Sequence, residues 1–173
     1  MEVIEIIGID PALRHTGIAK VSYNTETKKI WASDCMVINC PAKFKGYDAI
    51  MYTLNQIEEI ASEPCYAGAS KVVIESPPNV FNPKFPVINF IQCAHIVGGA
   101  ASLFGLDRSM FCAPIQWNKK NKEKAHKECL KVLGDIESWH FREKPFKTTL
   151  EHMIDAVCIA HWYLNKEYIE DVV

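Results

Sequence analysis

Ile6-Ile7-Gly8-Ile9-Asp10-Pro11-Ala12-Leu13-Arg14-His15-Thr16-Gly17 sets the terms on which the rest of the chain is read. Val3 to Ile9 is β-branched and apolar, which predicts a buried strand, and the next residue is the carboxylate of Asp10. A charge at the end of a buried strand costs solvation unless it is paired or coordinated. The turn after it leads into a second strand, Gly17 to Tyr23. Ile30 to Ile38 forms a third after the turn-like Asn24-Thr25-Glu26-Thr27-Lys28. Three strands in succession predict an antiparallel meander.

Beyond the meander, Ile50, Leu54, Ile57 and Ile60 or Ala61 recur at helical spacing, predicting a helix from about Tyr47 to Ser62. Lys71 to Glu75 is a short strand of the buried type, again ending on a carboxylate. Four prolines between Ser76 and Pro86 then forbid regular structure and leave a stiff loop. An uncharged helix follows to about Gly105, then a strand at Ser109 to Ala113, a helix at Lys122 to Leu133 and a last helix at Thr148 to Leu164. The order predicts one α/β domain over residues 1–173, a central mixed five-stranded sheet flanked by helices.

Composition narrows the function classes. The chain has 173 residues, 49% of them hydrophobic, with a formal net charge of -2, so it is neither a disordered tail nor a generally basic nucleic-acid binder. Any nucleic-acid footprint must be local. Seven scattered cysteines form neither zinc-type pairs nor a secreted disulfide framework, and the N-terminal run carries Glu2 and Glu5 with no basic leader, so a cytoplasmic protein is expected. Phe85 to Leu106 contains no Asp, Glu, Lys or Arg, a length able to span a bilayer. Asn89, Gln92, His95, Gly98, Gly99 and Ser102 make it a poor lipid-facing helix, and the expectation is no membrane but a helix buried on most of its circumference, in a core or a dimer interface.

The chemistry lies in the acids. Asp10 and Glu75 end two buried-type strands, and His152 and Asp155, three residues apart, share one face of the last helix. Singly, these read equally well as a turn cap, an edge charge and an exposed helix pair. Converging, three carboxylates and an imidazole are an oxygen-rich set suited to Mg²⁺ or Mn²⁺. Such a set can hold two ions, about 3.5–4 Å apart, around a scissile phosphate. From Gln116 to Lys147 there are nine Lys or Arg against five Asp or Glu, a basic stretch in a slightly acidic chain, where a DNA backbone would be held. The same lysines also read as a solvated helix face, with Lys124 and Glu128 as an i,i+4 pair.

On Gly8-Ile9-Asp10-Pro11 with Thr16-Gly17, on Val73-Ile74-Glu75 and on His152-Met153-Ile154-Asp155-Ala156-Val157-Cys158-Ile159-Ala160, the chain resembles the RuvC family of Holliday-junction resolvases, in that order and over nearly its whole length. The resemblance implies the RNase H-like fold and a homodimer that nicks a four-way DNA junction symmetrically with Mg²⁺ or Mn²⁺. Asp10, Glu75 and Asp155 match the family's acidic positions, and His152 falls where members carry aspartate or histidine. Ala113 to Trp117 followed by Lys119, Lys120, Lys122, Lys124 and Lys127 looks like the family's phosphate-contacting segment, with Lys84 as a further basic candidate. Phe81 or Phe85 stands where the family inserts an aromatic at the junction, or else anchors the loop on the core. Dimerisation is expected through Ile88 to Leu103, using Gly98, Gly99, Ala100 and Ala101. The chain departs from the family pattern in Ala12 where a glycine is usual, in a shorter loop after Trp117 and in its proline-rich loop.

Other readings share parts of this signal. Sugar kinases and actin-like ATPases use a Gly-Ile-Asp and Thr-Gly turn to cradle phosphates, but they need two such domains and a second phosphate loop. Within the nucleases, flaps, other branched DNA or RNA precursors are alternative substrates. A non-catalytic DNA-binding dimer gains nothing from carboxylates facing phosphate.

Overall fold

In the computed structural model, which describes residues 2–77, 86–144 and 146–169, the β-branched N-terminal residues form β1 (Val3–Asp10), β2 (His15–Asn24) and β3 (Ile30–Asn39). They pair antiparallel in sequence, and β1 also pairs in parallel with β4 (Lys71–Glu75), which pairs in parallel with β5 (Ser109–Cys112). The sheet order is β3-β2-β1-β4-β5, the mixed five-stranded sheet that the sequence predicts.

Strand alternation divides the core into two layers. Ile7, Ile9, Ile18, Val72 and Ile74 face α1 (Tyr47–Ala61) and α3 (Val87–Phe104). Ile6, Ala19, Val21 and Val73 face α6 (Leu150–Leu164), which is covered in turn by α5 (Lys122–Leu133). Two short helices, α2 (Pro64–Ala67) and α4 (Pro114–Asn118), escape the sequence reading because four or five residues show no period. The side chain of Asn121 caps α5 by accepting from the Lys124 N–H at 3.0 Å, which fixes where the basic helix starts.

α6 lies directly on the backbones of β1 and β2. A Cβ on Gly8 would stand 2.0 Å from the Ala156 carbonyl oxygen, and one on Gly17 would stand 2.1 Å from that of His152. These two glycines let the helix settle a side chain's thickness closer than any other residue would allow. The last strand turn and the first turns of α6 therefore meet at contact distance.

α3 has two unlike halves. It is long and apolar enough to cross a membrane, yet its second half packs Ile96, Val97, Ala100, Ala101 and Phe104 into this chain's own core. Its first half leaves Val87, Ile88, Phe90 and Ile91 exposed. Within one chain the helix is thus buried mainly at one end. Of the four small residues expected at a dimer contact, Ala100 and Ala101 are buried internally and Gly99 sits against Leu54 of α1, so only Gly98 is open.

Candidate active site

Parallel pairing of β1 and β4, with Ile9 opposite Ile74, brings the C-terminal ends of both strands to one sheet edge. Asp10 and Glu75 follow directly in that register. Both are two residues on from positions that face α6, Gly8 and Val73, so their side chains emerge on the face α6 covers. From α6, the Nδ1 atom of His152 lies 2.8 Å from Asp10 Oδ2. Asp155, one turn along on the same helix, is 4% exposed; its Oδ2 meets Lys122 Nζ at 2.5 Å and its Oδ1 meets His126 Nε2 at 2.7 Å. Lys122 also reaches Glu151 at 2.7 Å. Glu75 Oε1 accepts from the indole N–H of Trp117 at 2.7 Å. The four residues named from the sequence are thus brought to one place by β1, β4 and α6.

Burial dominates the electrostatics. Asp10, 7% exposed, has its carboxyl held above the usual range because desolvation outweighs the favourable hydrogen bond from His152, and Asp155 adds repulsion. Glu75 is pushed up to about 7 by burial and then by the charge of Asp10, against the Trp117 hydrogen bond. His152 is raised by its bond to Asp10. Burial pulls Lys122 down, but its bonds to Asp155 and Glu151 overcome this and hold the ammonium above its ordinary range. Two adjacent carboxyls thus have their ionisation opposed, by burial first and by a neighbouring carboxylate second.

That opposed ionisation bears on whether a divalent metal fits the site. Carboxylate oxygens with one imidazole are hard donors that suit a divalent cation, and the strained ionisation of Asp10 and Glu75 is what such a charge would relieve. As they stand, no group of three or more His, Cys, Asp or Glu side chains among the described residues is arranged to hold a metal ion. The reason is visible in the contacts: His152 is turned onto Asp10, while Lys122 and His126 occupy both oxygens of Asp155. By its chemistry the donor set fits a divalent cation, with His152 and Asp155 engaged here by other side chains.

The basic candidates separate. Lys119, Lys120 and Lys127 are exposed, and Lys124 is exposed with Glu128 at 3.7 Å as its i,i+4 partner. Lys122, expected to face a phosphate backbone, is instead turned onto the acids, because the first turn of α5 lies against α6. Phe81, Lys84 and Phe85 lie outside the described residues. Sequence reasoning passed over two side chains that the fold places on the acids, Trp117 and His126. The nearest signal was His126 four residues after Lys122, on the same face of one helix.

No protein-family model and no curated sequence matches this chain. Solved structures do. RuvC of Thermus thermophilus, in complex with Holliday junction substrate, aligns with a TM-score of 0.62 at 17% identity over 95% of this chain and 97% of that one. The yeast mitochondrial Holliday junction resolvase aligns with a TM-score of 0.61 at 13% identity over 96% and 82%. The fowlpox virus Holliday junction resolvase aligns with a TM-score of 0.56 at 11% identity over 94% and 99%. The fold is the RNase H-like fold in the form these proteins share, and the likeness to RuvC suggested by the motifs extends to the whole architecture.

Proposed function

We propose that this chain, built on the fold of the RuvC resolvases, is a metal-dependent endonuclease that resolves four-way DNA junctions by paired symmetric nicks. The observation that carries the reading is the register of β1 with β4, which sets Asp10 and Glu75 side by side beneath His152 and Asp155. Asp10, Glu75, Asp155 and His152 would hold Mg²⁺ or Mn²⁺, two ions per site. The bound ions supply Lewis acidity, lowering the pKa of the attacking water and stabilising the leaving 3′ oxygen. Asp10, bonded to His152, would contribute its carboxylate to both ions.

The chain's own groups do the rest. Burial of the acids on a rigid sheet edge fixes their oxygens before substrate arrives, so little reorganisation is left for the reaction itself. His152, held by Asp10, orients the hydrolytic side. Lys122, which holds Asp155 and Glu151 at the rim of the acids, is the cation that would stand nearest a phosphate bound there. Exposed Lys119, Lys120, Lys124 and Lys127 supply a sequence-independent hold on the DNA backbone. Two sites are needed for paired nicks, and the exposed apolar first half of α3, with Val87, Ile88, Phe90 and Ile91, is the surface we assign to a homodimer. Seven free cysteines support a reducing, cytoplasmic compartment.

The test is cleavage of a labelled synthetic four-way junction beside linear duplex, a flap and an RNA–DNA hybrid, with Mg²⁺ or Mn²⁺. Paired symmetric nicks in the junction are expected, and none with Asp10→Asn. Preferential cutting of the flap or the hybrid would keep the metal site and move the substrate elsewhere in the superfamily. Sedimentation of a monomer at micromolar concentration would remove the dimer.

A further inference from the structure

Trp117 and His126 come from different helices, α4 and α5, yet their rings stack with centroids 6.3 Å apart and planes 10° from parallel. Each ring donates one hydrogen bond, and both bonds end on the acid cluster. Trp117 Nε1–H reaches Glu75 at 2.7 Å, and His126 Nε2–H reaches Asp155 at 2.7 Å. A buried indole needs an acceptor, and any backbone carbonyl would satisfy it. Here two stacked rings both choose carboxylates, one at the end of a strand and one on a helix, 42 and 29 residues away in sequence.

We infer that Trp117 and His126 act as one positioning unit, a stacked pair that sets the separation and orientation of the Glu75 and Asp155 carboxylates for a divalent cation. The inference rests on the metal-dependent reading of this site. The rings leave one oxygen of each acid free of themselves: Glu75 keeps Oε2, and Asp155 Oδ2 is held by Lys122, a side chain on a flexible stem that can withdraw. Outer hydrogen bonds of this kind orient ligating carboxylates, and their removal typically weakens metal affinity or activity by about 10–100-fold. Because the rings are stacked, untying either one from its carboxylate loosens the other. Their effects should then fail to add.

The experiment is calorimetric measurement of Mn²⁺ affinity on the full chain, with thermal melts and junction cleavage in parallel, for W117F, H126F, H126Q and the W117F/H126F double variant. W117F and H126F keep a ring and lose the donor. Each is expected to bind Mn²⁺ roughly 10–100-fold more weakly, and the double variant little more weakly than the worse single one. H126Q, whose amide can donate to Asp155, is expected to recover part of the loss. A lowered melting temperature with Mn²⁺ affinity within about threefold of wild type in every variant would make the rings ordinary packing and overturn the inference. If W117F does not fold, H126F against H126Q decides alone, since His126 is partly exposed and tolerates exchange. Wild-type chain that takes up no Mn²⁺ would instead overturn the nuclease reading and this inference with it.

Discussion

Asp34 and Glu63 share the guanidinium of Arg142, which donates from Nε and Nη2 to Asp34 at 2.9 and 2.8 Å and from Nη1 to Glu63 at 2.5 Å, with its plane over the Tyr66 ring. Asp10 and Glu75 stand side by side, the first bonded to an imidazole and the second to an indole. The same residue types end in opposite states. The Glu63 carboxyl is held below the usual range by Arg142, whereas burial lifts Asp10 and Glu75 above it, with added repulsion from Asp155 on the first and from Asp10 on the second. The first group is matched in the sense that one guanidinium bonds both acids, two carboxylates to one cation, and it ties residues 140–142 along the free edge of β3, where Cys35 N–H bonds the His140 carbonyl at 2.9 Å and Arg142 N–H bonds that of Cys35 at 3.2 Å. The second group is unmatched in that sense, since no one cation bonds both Asp10 and Glu75. Acids pinned by a guanidinium serve the fold, and acids whose ionisation burial opposes mark a candidate functional site.

Asp10→Asn is the hardest test of that difference. Removing one buried carboxyl should abolish junction cleavage by more than an outer contact would, on the order of 10³-fold, or about 4 kcal/mol in the barrier. The melting temperature should hold or rise, since a desolvated charge is relieved. A variant that melts well below wild type while still cutting would reverse the assignment of the two groups.

Gly17→Ala attacks the packing that forces the unmatched group together. Its Cβ would fall 2.1 Å from the His152 carbonyl oxygen, a backbone atom that cannot yield without moving α6. Destabilisation of roughly 3 kcal/mol is expected from this overpacking, seen as a drop in denaturation midpoint, and His152 should lose its register with Asp10. The Arg142 group, on other elements, should be untouched.

How much of this was legible in the sequence follows the same division. Strand and helix order was readable because period and β-branching are local, and β4 and α5 fall on the residues that the pattern predicts. The motif acids were readable because a carboxylate ending an apolar run is odd wherever it stands. What the pattern does not carry is which part of an uncharged helix is buried, since the polar residues of α3 do not mark its outer side: Gln92 is buried while Val87, Ile88, Phe90 and Ile91 are exposed. Nor does it carry the direction of Lys122: composition marks a basic helix, but the turn that faces the acids depends on how α5 meets α6. Trp117 and His126 acquire their contacts across 42 and 29 residues, a relation that tertiary packing alone creates.

Arg142→Ala sharpens the comparison from the matched side. The arginine is partly exposed, so its charge-assisted bonds are screened, and a loss of about 1–2 kcal/mol is expected rather than the full cost of a buried pair. For a chain of this size that is a fall of roughly 2–8 °C in Tm. Junction cleavage measured well below the new Tm should remain that of wild type.

The smallest effect is the pH dependence of the metal-free chain, and its sign separates the two groups. Glu75 is raised from an ordinary 4.5 to about 7, so between those values the folded chain binds more protons than the unfolded one. Stability from this residue is fully present below about 4.5 and is lost as pH rises through about 7. Glu63, lowered by Arg142, works the other way: its contribution is present above the usual glutamate range and is lost as pH falls. Thermal melts in a chelating buffer should therefore show wild type losing stability from pH 5 to pH 8 relative to Glu75→Gln, by about 1 kcal/mol or more. Adding Mg²⁺ should flatten that difference, because a cation favours the ionised carboxyl that burial opposes. A Glu75→Gln profile parallel to wild type over the whole range would mean that the acid is already balanced by its neighbours, and the contrast with Asp34 and Glu63 would disappear.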